Sequence, residues 1–131
     1  MTVGHNKFSD WTVDELKLHA MGMKASAEDI ENMRHRYATF ESDFIDDKVD
    51  WLERGAVTHV RDSGYCASSW AHAAVAAIEA AHYIDTDELV ELSTQQLIDC
   101  DKSNYGCEGG LMANAFEYAE EFHLMRETDY P

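Results

Sequence analysis

A mainly helical fold is what this sequence predicts, on three observations. The first is a pair of capping boxes, Thr12 with Glu15 and Ser93 with Gln96. In each, a hydroxyl is followed three residues later by a side chain able to reach back to the orphan amides of a first helical turn. The second is the run SSWAHAAVAAIEAAHY from Ser68 to Tyr83. It is alanine-rich and apolar nearly all round, the pattern of a helix packed inside a protein rather than on its surface. The third is the recurrence of Leu111, Ala115, Tyr118 and Phe122 at helical spacing.

Taken along the chain, residues 12–20 read as a short helix carrying Leu16 and Leu18. Residues 21–48 mix glycine, methionine and charges with Phe40 and Phe44 but hold no sustained period, and read as an extended or irregular crossing. The alanine-rich helix comes next, and Asp85 to Asp87 supply the turn that ends it. The second capping box then opens a helix through Leu97 and Ile98. The stretch GCEGG at 106–110 needs a tight backbone that glycine permits, and an amphipathic helix follows. There is no internal repeat, and the single proline is the last residue.

A chain of 131 residues with 45% hydrophobic content is long enough to bury one core, so one compact domain plus an extension is expected. No run approaches the roughly 18–20 apolar residues of a membrane span, and the start MTVGHNKFSD lacks the basic and apolar regions of a signal peptide. Its compartment stays unassigned. The net charge of −16 argues against nucleic acid and against anionic membranes as partners, because both need a basic footprint. That charge is uneven, with net −3 over residues 1–44 and net −13 over residues 45–131. A solvated surface explains it plainly; a basic partner or an acidic compartment is the sharper reading. Three cysteines, Cys66, Cys100 and Cys107, leave one unpaired if two join, which implies either a missing partner or a free thiol. No cysteine or histidine cluster has zinc spacing, so neither a metal nor a cofactor is expected.

Three stretches together resemble the papain and cathepsin L family of cysteine proteases. Val49-Asp50-Trp51 followed by Gly55-Ala56-Val57-Thr58 is similar to the family's mature N-terminus. Gly64-Tyr65-Cys66-Ala67-Ser68-Ser69-Trp70-Ala71 resembles its active-site segment. Leu92-Ser93 with Gln95-Gln96-Leu97 and Asp99-Cys100-Asp101, then Gly106-Cys107 with Gly109-Gly110-Leu111-Met112, completes the set. Upstream, Gly4, Asn6, Phe8 and Asp10 match the family's propeptide motif, whose residues alternate along one strand-like stretch. The resemblance implies a propeptide-like tail over residues 1–44 and the helical lobe of an α+β peptidase, incomplete, over residues 45–131. The family's second, barrel-like lobe, which carries the base histidine and its orienting asparagine, has no counterpart in this sequence.

Family members attack a peptide carbonyl with a cysteine thiolate at the start of the buried helix, where the dipole and a histidine lower its pKa. The resemblance puts Ser69 at that position. A hydroxyl is far less acidic, so it needs a well-aimed base to take its proton. The family's oxyanion glutamine, six residues before the nucleophile, is replaced by Ser63, whose shorter side chain should not reach. Losing one such donor costs about 100- to 1000-fold in rate. Ala67 stands for the usual glycine and His72 for the usual aromatic. His72, three residues after Ser69, suggests a local serine–histidine pair, set against a buried or partner-facing histidine.

The same resemblance implies a vestigial substrate site. Gly109 and Gly110 would let a peptide lie alongside and pair by main-chain hydrogen bonds, Leu111 and Met112 would line a pocket for the substrate's second residue, and Trp70 would sit at the same face. The alternative is that the glycines only turn the chain and the apolar pair is core. Cys66 and Cys107 match a family disulfide, which leaves Cys100 a free thiol. The function expected is therefore that of a catalytically inactive homologue acting as a binding or structural subunit, with another protein covering the face of the missing lobe, within a larger multi-subunit complex. A peptidase fragment or zymogen with a serine nucleophile completed by a second lobe is the alternative, and a propeptide-like inhibitor resting on residues 1–44 is a third reading.

Overall fold

The computed structural model describes residues 3–34 and 47–131. Phe40, Phe44 and the boundary expected near residue 44 lie outside the described residues. Helix α1, Val13–His19, starts at the expected box: the Glu15 amide donates to Thr12 Oγ1 at 3.3 Å and the Thr12 amide to the Glu15 carboxylate at 2.7 Å. The Gly4–Asp10 stretch corrects an expectation, because it is not strand-like. The Ser9 and Trp11 amides donate to the Asn6 and Phe8 carbonyls, both at 3.1 Å, and wind the segment into turns. The Asn6 side chain reinforces them by accepting from the Phe8 amide at 2.9 Å, a turn-forming use of asparagine that competes with extended structure.

Residues 21–48 are not irregular throughout either. Helix α2, Ala27–Arg34, grows from a capping box built with aspartate: Asp29 Oδ2 accepts from the Ser26 amide at 2.8 Å, and the Asp29 amide donates to Ser26 Oγ at 3.1 Å. Ile30 and Met33 are the only large apolar side chains in the eight residues of α2, too few for a sustained helical period.

Helix α3, Ser69–Thr86, runs three residues beyond Tyr83 and stops where Asp87 turns left-handed, its amide donating to the Tyr83 carbonyl at 2.8 Å. Trp70, Ala71, Ala74, Val75 and Glu79 are buried, whereas Ala73, Ala76, Ala77 and Ala81 are exposed. The helix expected to be buried all round is buried on one side, and that side holds a carboxylate. Helix α4, Thr94–Cys100, is capped by Ser93 Oγ, which accepts from the Gln96 amide at 2.9 Å. Gln96 does not close that box. Its amide points inward, donating to the Tyr118 hydroxyl at 3.3 Å and the His123 carbonyl at 3.0 Å, and accepting from the Met125 amide at 2.8 Å. A 3-10 turn, Gly106–Glu108, leads to helix α5, Met112–Phe122.

Helix α3 packs on α4 and α5. Their shared core is Trp70, Ala71, Ala74, Val75, Leu97 and Ala115, with Leu92, Ile98, Met112, Tyr118 and Leu124 around it. Among the described residues there is no strand, only the isolated pairings of Met23 with Gly110 and of Leu92 with Arg126. The lobe is thus mainly helical, as the sequence predicts. No helix of the described residues is long and apolar enough to cross a membrane.

Candidate functional site

Two walls meet at the start of α3. The first is the turn before it, where the Asp62 carboxylate accepts from the Gly64 amide at 2.9 Å and the Cys66 amide donates to the Ser63 carbonyl at 3.1 Å. That Gly64 amide, followed by the Lys7 ammonium at 3.0 Å, holds the exposed Asp62 carboxyl below the usual range. The second wall is the loop through residues 106–111. The Cys66–Cys107 disulfide joins the walls, with Cα atoms 4.5 Å apart, and the Ala67 amide donates to the Cys107 carbonyl at 3.0 Å. Closing a loop of 41 residues is worth about 4 kcal/mol in the chain-entropy model. Ser69 is the first residue of α3 and is exposed, placing its hydroxyl at the positive end of the helix dipole.

An extended segment of the same chain already lies on this site. The Gly110 amide donates to the Gly22 carbonyl at 2.7 Å and the Lys24 amide donates to the Gly110 carbonyl at 3.1 Å, so Met23 pairs with Gly110 in parallel. A side chain on Gly22 would collide with the Ala67 carbonyl oxygen and with Ser69 Oγ, so the segment crosses directly against the start of α3. Further contacts fasten it. Trp11 stacks on Tyr65 at 6.3 Å, His19 meets both rings edge-on, and the Lys24 ammonium lies 5.3 Å from the Tyr105 ring centre.

The other sequence-predicted residues fall into place unevenly. Ser63 is half-buried in its turn, and its hydroxyl makes no hydrogen bond among the described residues. Trp70 does not face the cleft. It is 1% exposed in the core, its indole N–H donating to the Gly106 carbonyl at 3.1 Å. Leu111 is buried and borders a small cleft shared with Asp29, Asn32 and Met33, and Met112 is half-buried against the core. Cys100 is an exposed free thiol. Among the described residues, no group of three or more histidine, cysteine or acidic side chains is arranged to hold a metal ion.

His72 does not pair with Ser69. Its Nδ1 is buried without a partner, and the ring borders clefts lined by residues 57–61 and by Glu127. Burial, helped by Arg61 and opposed by Glu127, holds its pKa below the ordinary 6.5. Above that value the imidazole is neutral in both folded and unfolded chains. As pH falls below it, the unfolded chain takes up the proton first, and stability is lost until the lower folded value is passed. Wild type is therefore expected to lose more stability than His72→Phe between neutral pH and about pH 5. Urea midpoints at both pH values check this, and parallel loss in the two proteins would remove His72 as the cause.

Sequence reasoning missed a buried ionic group. Glu79, 1% exposed, accepts from Arg61 Nη2 at 3.1 Å, from the Leu92 amide at 2.7 Å and from the Thr58 hydroxyl at 2.7 Å. Arg61 Nη1 also donates to the Leu92 carbonyl at 3.2 Å and to Thr94 Oγ1 at 3.0 Å. Glu79 is the single carboxylate in the run Ser68–Tyr83, and that isolation was the available signal. Asn104, buried beneath the glycine loop, carried no signal at all.

A helical lobe that holds an extended polypeptide on a glycine edge beside an exposed helix start has the layout of half a peptidase cleft. Residues 45–131 match the family described as papain family cysteine protease. The chain is 46% identical over 121 residues to the probable cysteine protease RDL3 of Arabidopsis thaliana, covering 90% of itself and 32% of that protein. It is 39% identical to papaya proteinase 4 of Carica papaya, covering 98% of itself and 37% of that protein. Among solved structures it is similar to the proform of the ragweed pollen cysteine protease Amb a 11, with a TM-score of 0.77, 38% identity, and coverage of 97% of this chain and 41% of that one. It also resembles digestive procathepsin L 3 of Tenebrio molitor, with a TM-score of 0.75, 33% identity, and coverage of 98% and 40%. The chain belongs to the papain family of cysteine proteases and spans about a third of the length of the curated relatives it matches.

Proposed function

We propose that this chain is a non-cleaving papain-family homologue that works by binding, as one subunit of a larger assembly. The observation that carries the reading is Ser69: a hydroxyl stands at the helix start, and among the described residues no histidine hydrogen-bonds to it. The helix dipole that ionises a thiol falls far short of ionising a hydroxyl. Ser63, in place of an oxyanion amide donor, adds a second and independent deficit. The binding function is supported by Gly110, which pairs with an extended backbone, and by Gly109, which leaves room beside it. The exposed alanines on the outer side of α3 offer an apolar face for a partner protein.

A second reading is favoured by one feature. Residues 22–24 lie across the start of α3 as an inhibitory segment would, which suits a precursor piece whose serine acts once a second lobe is supplied. One assay tests the first reading. Fluorogenic peptides offered to the wild-type chain and to Ser69→Ala between about pH 4 and pH 8 are expected to give no turnover with either protein. Turnover by wild type that disappears in Ser69→Ala would sink the non-cleaving reading.

A further inference from the structure

An extended backbone points the N–H and C=O groups of successive residues to opposite sides. At the glycine edge, Gly110 turns both groups outward to Gly22 and Lys24, so Leu111 must turn its own inward. In a sheet the next strand would receive them; here one side chain does. The Leu111 amide donates to Asn104 Oδ1 at 2.7 Å, and Asn104 Nδ2 donates to the Leu111 carbonyl at 3.2 Å. A carboxamide carries the same donor and acceptor as a peptide group, so it substitutes for a missing strand. Its orientation is fixed. Asn104 Nδ2 also donates to Asp101 Oδ2 at 2.7 Å, and a carboxylate only accepts, so the amide does not flip. Asn114 Nδ2 completes the set, donating to Asn104 Oδ1 at 3.4 Å.

We propose that Asn104 is the positioning residue of the polypeptide-binding edge, holding Gly110–Leu111 extended so that Gly110 presents its hydrogen-bonding groups to an extended main chain. The proposal rests on reading that edge as the peptide-binding strand. It also separates the two glycines, which sequence reasoning treated alike. Gly109 holds a φ of +114°, which side chains rarely adopt, and a Cβ there would also lie 2.8 Å from the Gly22 carbonyl oxygen, so that glycine both turns the chain and makes room for the bound segment. A Cβ on Gly110 would lie 2.5 Å from Asn104 Oδ1 and 2.7 Å from its Cγ, so that glycine makes room for the clamp.

Amide hydrogen exchange on the full chain tests this. In Asn104→Ala the Lys24 and Gly110 amides are expected to exchange about 10- to 100-fold faster, the range that corresponds to leaving buried polar groups unpaired. A merely structural asparagine would instead lower the protection of core amides such as Val75 and leave Lys24, which opens locally, within about threefold of wild type. That result overturns the proposal. Lys24 and Gly110 amides unprotected in the wild-type chain would overturn the reading of the edge and the proposal together. Should Asn104→Ala fail to fold, Gly110→Ala in the otherwise wild-type chain decides, because its Cβ pushes against the Asn104 carboxamide. There the Lys24 amide is expected to exchange about 10- to 100-fold faster while Val75 keeps its protection. Lys24 exchange within about threefold of wild type overturns the clamp.

Discussion

Arg61→Met lowers the unfolding free energy by about 3–5 kcal/mol, because it leaves the buried Glu79 carboxylate without its counter-charge. The carboxylate has nowhere to go: it is 1% exposed and already holds the Leu92 amide and the Thr58 hydroxyl. Removing both charges together, as Arg61→Met with Glu79→Met, is expected to cost much less than the two single changes added, since no unpaired charge then remains. Urea midpoints for the four proteins of the cycle measure this. A loss below about 1 kcal/mol for Arg61→Met, or additive losses, would mean that the group does not act as a buried pair. The stakes go beyond stability, because this group ties residues 58–61 to α3 and to the start of α4, and so holds the lead turn of the site on the core.

Gly22→Ala evicts the N-terminal segment from the cleft. The added Cβ meets the Ala67 carbonyl and Ser69 Oγ, and Ala67 has no freedom to move because its own amide is bonded to Cys107 beside the disulfide. Overpacking of this kind costs about 1–3 kcal/mol, which as a local opening equilibrium is roughly 5- to 150-fold. Limited proteolysis between residues 20 and 26 is expected to accelerate by that factor, while the α3 core keeps its protection. Cleavage at the wild-type rate would place the segment in the cleft only loosely and weaken the inhibitory-segment reading.

Local signals were the legible ones. The Thr12–Glu15 box and the Ser93 cap appear as read because a cap is a matter of three or four residues. Helix α2 escaped notice because its box uses Asp29 and its two large apolar residues, Ile30 and Met33, are too few to set a period. The Gly4–Asp10 stretch was misread because alternation alone does not weigh the turn chemistry of Asn6. Burial was harder. Trp70 reads as a cleft residue by its place next to Ser69, yet a helix turns by about 100° per residue and carries the indole into the core. The Gln96 amide likewise serves the packing between α4 and the residues after α5 rather than its own cap. Glu79 stood out by its isolation, but its pairing with Arg61 and the Asn104 clamp were hidden in different ways. The first joins residues 18 apart in sequence, and the second depends on a backbone that turns inward at Leu111.

The seam between the two walls is stitched three times. Beside the covalent bridge run the hydrogen bond from the Ala67 amide to the Cys107 carbonyl and the bond from the Trp70 indole to the Gly106 carbonyl. The three stitches differ in what undoes them: a reductant cleaves the first, whereas the other two are hydrogen bonds that no reductant attacks. In a thiol-rich environment the lobe therefore surrenders overall stability while the spacing between the helix start and the glycine edge stays set. The gap offered to a bound chain is fixed by packing, and the redox state of the surroundings governs how long the lobe survives rather than what it fits.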